Sequence, residues 1–173
     1  MGGDRNVFFA REGRPIRRSS SVLLAQSAPT DCHHVSELFE ALQKEDAVLI
    51  AHVGGRYADI AVGHDGKLEP VVEIHSCWGT FEWLLHQAFD LGHRVGLVCH
   101  SDDHKGRPGA AYPGASQFGA LGGLTCYAMP RLDRPALLEA LRSRRTYGTT
   151  GTRLLLDAKA SLPEGSRALS GDP

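Results

Sequence analysis

The side chains best suited to chemistry in this chain stand at or near the ends of apolar runs. They are His52, Glu73, Asp102 and His104, with His75 and His100 close by. Imidazole and carboxylate groups supply nitrogen and oxygen donors, which suit divalent ions such as zinc, manganese or iron. A lone histidine at a strand end is more often a hydrogen-bonded structural residue, but three separate segments carrying such groups favour a shared site. We therefore predict His52, Asp102 and His104 as metal ligands, with Glu73 as a further candidate.

Strands and helices alternate in the part of the sequence that carries these residues. Unbroken apolar runs predict buried strands over 47–53, 71–75 and 94–100, and a period of 3.6 predicts helices over 35–42 and 81–89. Tight hairpin turns are missing between the runs, so the strands are expected to pair in parallel through helical crossovers. The fold class is therefore α/β. The carboxyl ends of parallel strands share one edge of a sheet, which would bring the candidate ligands together.

The flanking sequence adds weaker elements. They are a strand at 6–10, a strand at 124–129, a helix at 136–144 capped by Asp133 and Pro135, and a last strand at 152–159. The predicted organisation is an irregular N-terminal segment over 1–34, an α/β domain over 35–160 and a polar tail over 161–173.

A basic, glycine-rich loop follows the third strand. Lys105 and Arg107 open this loop, and they could bind the anionic group of a small-molecule substrate together with backbone N–H groups. A purely structural loop is the alternative. If residues 100–104 stay extended, His100, Asp102 and His104 have a period of two and point the same way.

The remaining histidines and the cysteines have simpler explanations. Cys32-His33-His34 resembles a metal site in composition, but adjacent histidines rarely share one ion. His64 lies in a turn-like sequence, and His86 and His93 lie in or just after a helix. The four cysteines are widely spaced with no C-x-x-C pair, which indicates reduced, mostly buried thiols.

Composition excludes several classes of partner. The formal net charge is −1, so the chain lacks the basic field that binding of a nucleic-acid backbone needs. No apolar run approaches the roughly 18 residues of a membrane span, and none has the form of a signal peptide. A cytoplasmic protein with no nucleic-acid or membrane partner is expected.

Four motifs resemble those of the polymerase and histidinol phosphatase (PHP) superfamily. They are H-V-G-G-R at 52–56, V-E-I-H-S at 72–76, S-D-D-H at 101–104 and A-L-R-S-R-R-T-Y-G-T-T-G at 140–151. The resemblance covers about residues 45–157 and is nearest to the branch that includes carbamate-cleaving enzymes. It implies a partial or distorted TIM-like barrel of roughly seven or eight β/α units whose strand ends bind metal ions. It also implies hydrolysis of phosphoesters or related bonds by a metal-activated water.

The resemblance also assigns roles to single residues. His52 resembles a histidine ligand after a mid-barrel strand, Asp102 and His104 resemble the closing ligands, and Glu73 matches a carboxylate common at its strand. The family begins with a His-x-His strand, but no two histidines here are separated by a single residue. The chain therefore resembles the C-terminal part of such a phosphoesterase-like enzyme. Association with a second chain that supplies the missing N-terminal half is expected on this interpretation.

Two other hypotheses remain open on the sequence. The chain could be a non-catalytic remnant or subunit of this fold that serves as a binding or scaffold module. The absence of a His-x-His motif favours this hypothesis. A structural ion around Asp102 and His104 is the other alternative, and it predicts that chelation lowers stability without changing turnover.

Overall fold

The computed structural model of the chain describes residues 2–19, 26–54, 58–107, 112 and 118–158. The predicted polar tail at 161–173 lies outside the described residues. The strands are β1 (Arg5–Phe9), β2 (Ala47–Ala51), β3 (Val71–Ser76), β4 (Gly79–Thr80), β5 (Gly96–Cys99), β6 (Leu124–Tyr127) and β7 (Thr146–Thr149). The helices are α1 (Val35–Leu42), α2 (Glu82–Asp90) and α3 (Arg134–Arg142).

A mixed five-stranded sheet forms the centre of the fold. β2, β3 and β5 pair in parallel, as the sequence predicts, while β1 pairs antiparallel with β2 and β4 pairs antiparallel with β3. β6 and β7 form a separate antiparallel pair. Two threonines join this pair to β5 of the main sheet. The Thr125 hydroxyl donates a hydrogen bond to the Cys99 carbonyl, and the Thr146 hydroxyl donates one to the Leu97 carbonyl.

The prediction of a TIM-like barrel of parallel β/α units is wrong. The described residues contain a sheet-rich mixed α/β fold with three short helices, too few for such a barrel. Phe9 at the end of β1 pairs with Ala47 at the start of β2, and Tyr127 pairs with Thr146 in the same way. The segment between β1 and β2 carries α1, and the segment between β6 and β7 carries α3. Each segment brings the chain back to the end of the strand that it has just left, so each of these strand pairs is antiparallel. Among the described helices only α2 makes a parallel crossover.

Strand β2 is buried along its whole length because helices cover both faces of the sheet. Leu49 packs with Leu42 on the side of α1, while Val48 and Ile50 pack with Leu138 on the side of α3. This alternation follows from the period of two of a strand. The unbroken apolar run in the sequence therefore predicts this strand correctly.

The helix ends follow local sequence signals in two of the three helices. His34 and Glu37 form a reciprocal cap on α1, and the Asp133 carboxylate accepts from the Ala136 amide at 2.8 Å to cap α3. Helix α2 lacks such a signal, since Phe81 precedes it without a side-chain cap. The predicted strand at 152–159 is also wrong, because residues 152–158 form no strand and Lys159 lies outside the described residues.

Gly148 in β7 is required by a close approach to β5, which predicts the effect of a small substitution. A Cβ at this position would lie 2.8 Å from Cys99 Cβ and overlap its sulfur. We expect Gly148→Ala to lower the free energy of unfolding by about 1–3 kcal/mol. Gly66→Ala is the control, because its Cβ would meet nothing closer than His64 Nε2 at 3.8 Å. Urea unfolding measures both variants, and equal losses would contradict the packing argument.

No helix in the described part of the chain is long and apolar enough to cross a membrane.

Candidate metal centre

The candidate ligands lie at one edge of the main sheet because β2, β3 and β5 run in parallel. His52 follows β2, His100 follows β5, and Glu73 lies within β3. Asp102 lies in the loop after β5. These four residues line a cavity of about 950 Å³, so the structure brings together groups that are distant in the sequence.

The Glu73 carboxylate joins two histidines. Its Oε1 lies 2.9 Å from His52 Nδ1, and its Oε2 lies 2.9 Å from His100 Nδ1. The Glu73 side chain is buried. Both of its oxygens therefore accept hydrogen bonds, and Glu73 orients the two rings. When Nδ1 carries the proton, Nε2 of each ring keeps its lone pair, as in the carboxylate–histidine pairs that surround protein metal sites.

The same contacts shift the acidities of these groups. The hydrogen bond from His52 to Glu73 raises the pKa of His52, although burial opposes this shift. Burial acts to raise the pKa of Glu73, but hydrogen bonds from His100 and His52 outweigh it and lower the pKa. Both shifts favour the charged forms of the pair.

These shifts predict a pH dependence of stability in the metal-free protein. Because the pKa of His52 is raised in the folded protein, this residue contributes to the free energy of unfolding. The contribution is fully present below the ordinary pKa of 6.5 and is lost as the pH rises through the pKa of the folded state. The lowered pKa of Glu73 also contributes to the free energy of unfolding. This contribution is present above the ordinary pKa of 4.5 and is lost as the pH falls through the pKa of the folded state. We expect Glu73→Gln to cost more unfolding free energy near pH 5.5 than near pH 8, as measured by urea titration. A cost independent of pH would contradict the pairing.

Asp102 occupies a strained position next to this pair. Its φ is 47°, in the left-handed region, so residues 100–104 are not extended and the expected period of two does not hold. Oδ2 of Asp102 lies 3.7 Å from His52 Nε2, is buried and has no hydrogen-bond partner among the described residues. A buried carboxylate oxygen without a partner is costly, and a bound cation would compensate it.

Cys77 joins Asp102 and His104 in a group that could hold a metal ion. The ligand atoms of these three side chains lie within 4.8 Å of one another. The Cys77 thiol is 3.0 Å from the Asp102 carbonyl, to which His104 Nδ1 also donates at 2.7 Å. Burial raises the pKa of Cys77 to about 11, so the thiol is neutral until a cation displaces its proton. The residues fit a divalent ion, and a sulfur, nitrogen and oxygen donor set is one that zinc accepts.

Sequence reasoning missed Cys77 because it looked for cysteine pairs. The available signal was positional, since Cys77 directly follows β3, whose end also carries His75. His75 Nδ1 itself lies 2.8 Å from the hydroxyl of Thr80, its partner on β4. This contact gives His75 a structural role at the hairpin.

The basic residues predicted to bind substrate lie elsewhere. Neither Lys105 nor Arg107 is among the described residues that line the 950 Å³ cavity. The Lys105 amide donates to Asp103 Oδ1 at 3.0 Å, which forms a local turn. Arg11 and Arg134 line the cavity instead. Their positions, on the loop after β1 and the start of α3, gave no signal in the sequence.

Aromatic rings border the other side of the metal-binding group. Trp78 meets the ring of His104 edge-on at 5.9 Å, and Phe118 packs on Trp78 at 4.6 Å. Both aromatic side chains are more than two-fifths exposed. The side chain of His104 itself remains 42% exposed.

Two other histidine motifs serve the fold. His34 caps α1 through its Nδ1, and Cys32-His33-His34 forms no metal-binding group among the described residues. His64 is nearly buried, lies 3.3 Å from the carboxylate of Glu69 and stacks on His93 at 4.1 Å. The turn-like sequence around His64 gave no indication of this burial.

Comparison of the chain with protein-family models, with curated proteins and with solved structures found no match.

Proposed function

We propose that the chain is a metal-dependent hydrolase of the PHP type, or part of one, in which Cys77, Asp102 and His104 hold a divalent ion. The observation that carries this proposal is that Asp102 belongs to two arrangements at once. It belongs to the thiol, carboxylate and imidazole group that could bind a metal, and it lines the cavity next to the histidine pair on Glu73. The motifs that resemble the PHP superfamily support the same activity.

Each residue then has a separate task. A divalent ion held by Cys77, Asp102 and His104 would lower the pKa of a water molecule and polarise the phosphoryl or carbonyl group to be cleaved. His52 donates through Nδ1 to Glu73, so its Nε2 is the atom that can accept a proton inside the cavity. Glu73 stabilises the protonated ring that results. Because His52 stands outside the three-residue group, we assign it this proton transfer and not metal ligation.

Two arginines close to the site offer hydrogen-bond donors to a small anionic substrate. Arg11 and Arg134 lie on the wall of the cavity. Glu12, which is 3.5 Å from Arg134, and Asp133 line the same cavity and carry as many negative charges as the two arginines carry positive ones. Phosphate or carboxylate oxygens bind well to guanidinium groups, since the planar fork can make two hydrogen bonds.

A substitution of His52 tests the proposal. The chain would be loaded separately with zinc, manganese and iron(II), and hydrolysis of bis(p-nitrophenyl) phosphate would be followed. We expect His52→Ala to keep its metal, as measured by mass spectrometry of the elements, and to lose about 10²- to 10⁴-fold in rate. His86→Ala, an exposed histidine on α2, is the matched control and should retain full activity.

Two results would count against this assignment. A His52→Ala variant as active as wild type would remove the proton-transfer role. No turnover with any of the three metals would overturn hydrolysis itself. If chelation then lowered the unfolding midpoint of the inactive chain, the ion would be structural, a role that the buried Cys77 thiol would favour.

A further inference from the structure

The cavity beside the histidine pair is larger than its polar groups require. Its volume is about 950 Å³, and its metal-side and proton-transfer groups are His52, Glu73, His100 and Asp102. Most of the other side chains that line it are apolar or aromatic, and they come from β1, the end of β6 and α3. Cavities of about 300–1,000 Å³ that are lined in this way usually hold a whole small molecule, whose orientation a few polar groups fix. The apolar part of the wall therefore calls for a ligand of its own.

Strand β1 supplies an uncovered aromatic side chain to this wall. Phe8 pairs with Val48 of β2, and partners across a strand pair point to the same face of the sheet. Val48 is fully buried on that face, where it packs with Leu138 of α3. Phe8 lies on the same face, yet 38% of it is exposed. Helix α3 therefore covers the sheet at β2 and leaves Phe8 open to the cavity.

The register of β1 places Phe8 along a path that starts at His52. Asn6 pairs with Ile50, two residues before His52, and it also lines the cavity. Asn6 and Phe8 lie on the same face of β1, since a strand has a period of two. A strand rises by about 3.3 Å per residue, so Phe8 lies roughly 7 Å farther from the histidine end of the cavity than Asn6 does. A ligand with its anionic group at His52 would extend over Phe8.

Leu132 forms the opposite rim of the apolar wall. It directly precedes Asp133, the N-cap of α3, and it is 90% exposed. Tyr127 and Leu137, which also line the cavity, pack against the core, whereas Leu132 belongs to none of the apolar clusters of the described residues. Its packing within the chain therefore gives no reason for a large apolar side chain here. An apolar group bound in the cavity would remove this surface from water, which is favourable.

We propose that the substrate is an anionic ester that carries a bulky apolar group of about the size of an aromatic ring, and that Phe8 and Leu132 bind this group. The inference rests on the proposed hydrolase function and narrows its substrate class. The two arginines and two carboxylates on the cavity wall carry equal and opposite charges, so net charge does not select the ligand there. The apolar side chains do. Phe8 and Leu132 thus determine specificity through a part of the substrate that does not react.

Two phosphodiesters with the same leaving group test the proposal on the metal-loaded full chain. Bis(p-nitrophenyl) phosphate and methyl p-nitrophenyl phosphate both carry one negative charge and both release p-nitrophenolate, so they differ only in the second ester group. We expect KM to be about tenfold lower for the diaryl ester, because its second ring is buried against Phe8 and Leu132.

A pair of leucine variants assigns this preference to the cavity. Leu132→Ala should reduce the ratio of the two KM values by about three- to tenfold. Its high exposure means that this substitution leaves the fold intact. Leu155→Ala is the matched control, since Leu155 is also 90% exposed and does not line the cavity. This control should keep the ratio of wild type, and equal ratios in the two variants would overturn the role of Leu132.

Calorimetric titration of the chelator-treated full chain with the same two esters separates this proposal from the hydrolase function. Without metal there is no turnover, and the diaryl ester should still bind about tenfold more tightly than the methyl ester. If this preference appears in a chain that hydrolyses neither ester with any metal, the apolar site stands and the proposed reaction fails. If both esters are hydrolysed with equal KM and bind equally, the reaction stands and the apolar site is overturned. Absence of binding of the diaryl ester would overturn the site as well.

Discussion

Replacing Asp102 by asparagine is expected to weaken zinc binding by about 100-fold or more, because it removes the anionic ligand of the three-residue group. Asparagine tolerates the left-handed conformation that Asp102 adopts at φ 47°, so the loop should keep its shape. The loss would then reflect the missing charge and oxygen donor. Competition with a fluorescent zinc chelator measures the affinity of the variant and of wild type.

The next residue provides a matched control. Asp103→Asn makes the same chemical change one position away, in a carboxylate that accepts from the Lys105 amide and is not in the metal-binding group. Zinc affinity should stay within about threefold of wild type, as is usual for substitutions away from the ligands. Equal losses in both variants would mean that general negative charge in the loop, and not ligation by Asp102, holds the ion.

Replacing Glu69 by glutamine is expected to lower the free energy of unfolding by about 3–5 kcal/mol, because it leaves the Arg5 guanidinium buried without a counter-charge. Arg5 Nε donates to Glu69 Oε1 at 2.8 Å, and both side chains have 0% exposure. Arg5 also donates to the carbonyl of Gly63 at 2.9 Å. The pair therefore fixes β1 to the segment between β2 and β3.

An exposed glutamate serves as the control for this loss. Glu40→Gln, on the solvent side of α1, should change stability by no more than about 0.5 kcal/mol. Urea unfolding of wild type and both variants gives the two differences directly. A Glu69→Gln variant as stable as Glu40→Gln would show that the buried ion pair contributes little, and β1 would have to be held by its backbone pairing with β2.

The sequence located most elements because the signals are local. The apolar runs predict β2, β3 and β5, and the 3.6 period predicts α1 and α2 within a few residues. Asp133 and Pro135 predict the start of α3 for the same reason, since capping depends on neighbouring residues. These local predictions agree with the structure, whereas the strand predicted in the same way at 152–159 does not form over residues 152–158.

The directions in which β1 and β7 pair with their neighbours could not be predicted from local sequence signals. A strand, a helix and a second strand are compatible with parallel or antiparallel pairing, and the choice depends on the end at which the chain re-enters the sheet. Leu138 on α3 packs against Val48 and Ile50 of β2, a contact between residues far apart in the sequence. No local pattern encodes such a contact, and the barrel prediction failed at this point.

The amino-acid sequence by itself indicated Asp102 and His104 as candidate metal ligands and determined that His52, Glu73 and Asp102 follow or belong to strands of one parallel set. Only the tertiary structure decided which side chains contact one another. It placed Glu73 between two histidines, brought Cys77 to Asp102 and His104, and left Lys105 off the cavity wall. Residue type and strand position are local properties, whereas ligation and hydrogen bonding depend on distances of a few ångströms that only the packed chain sets.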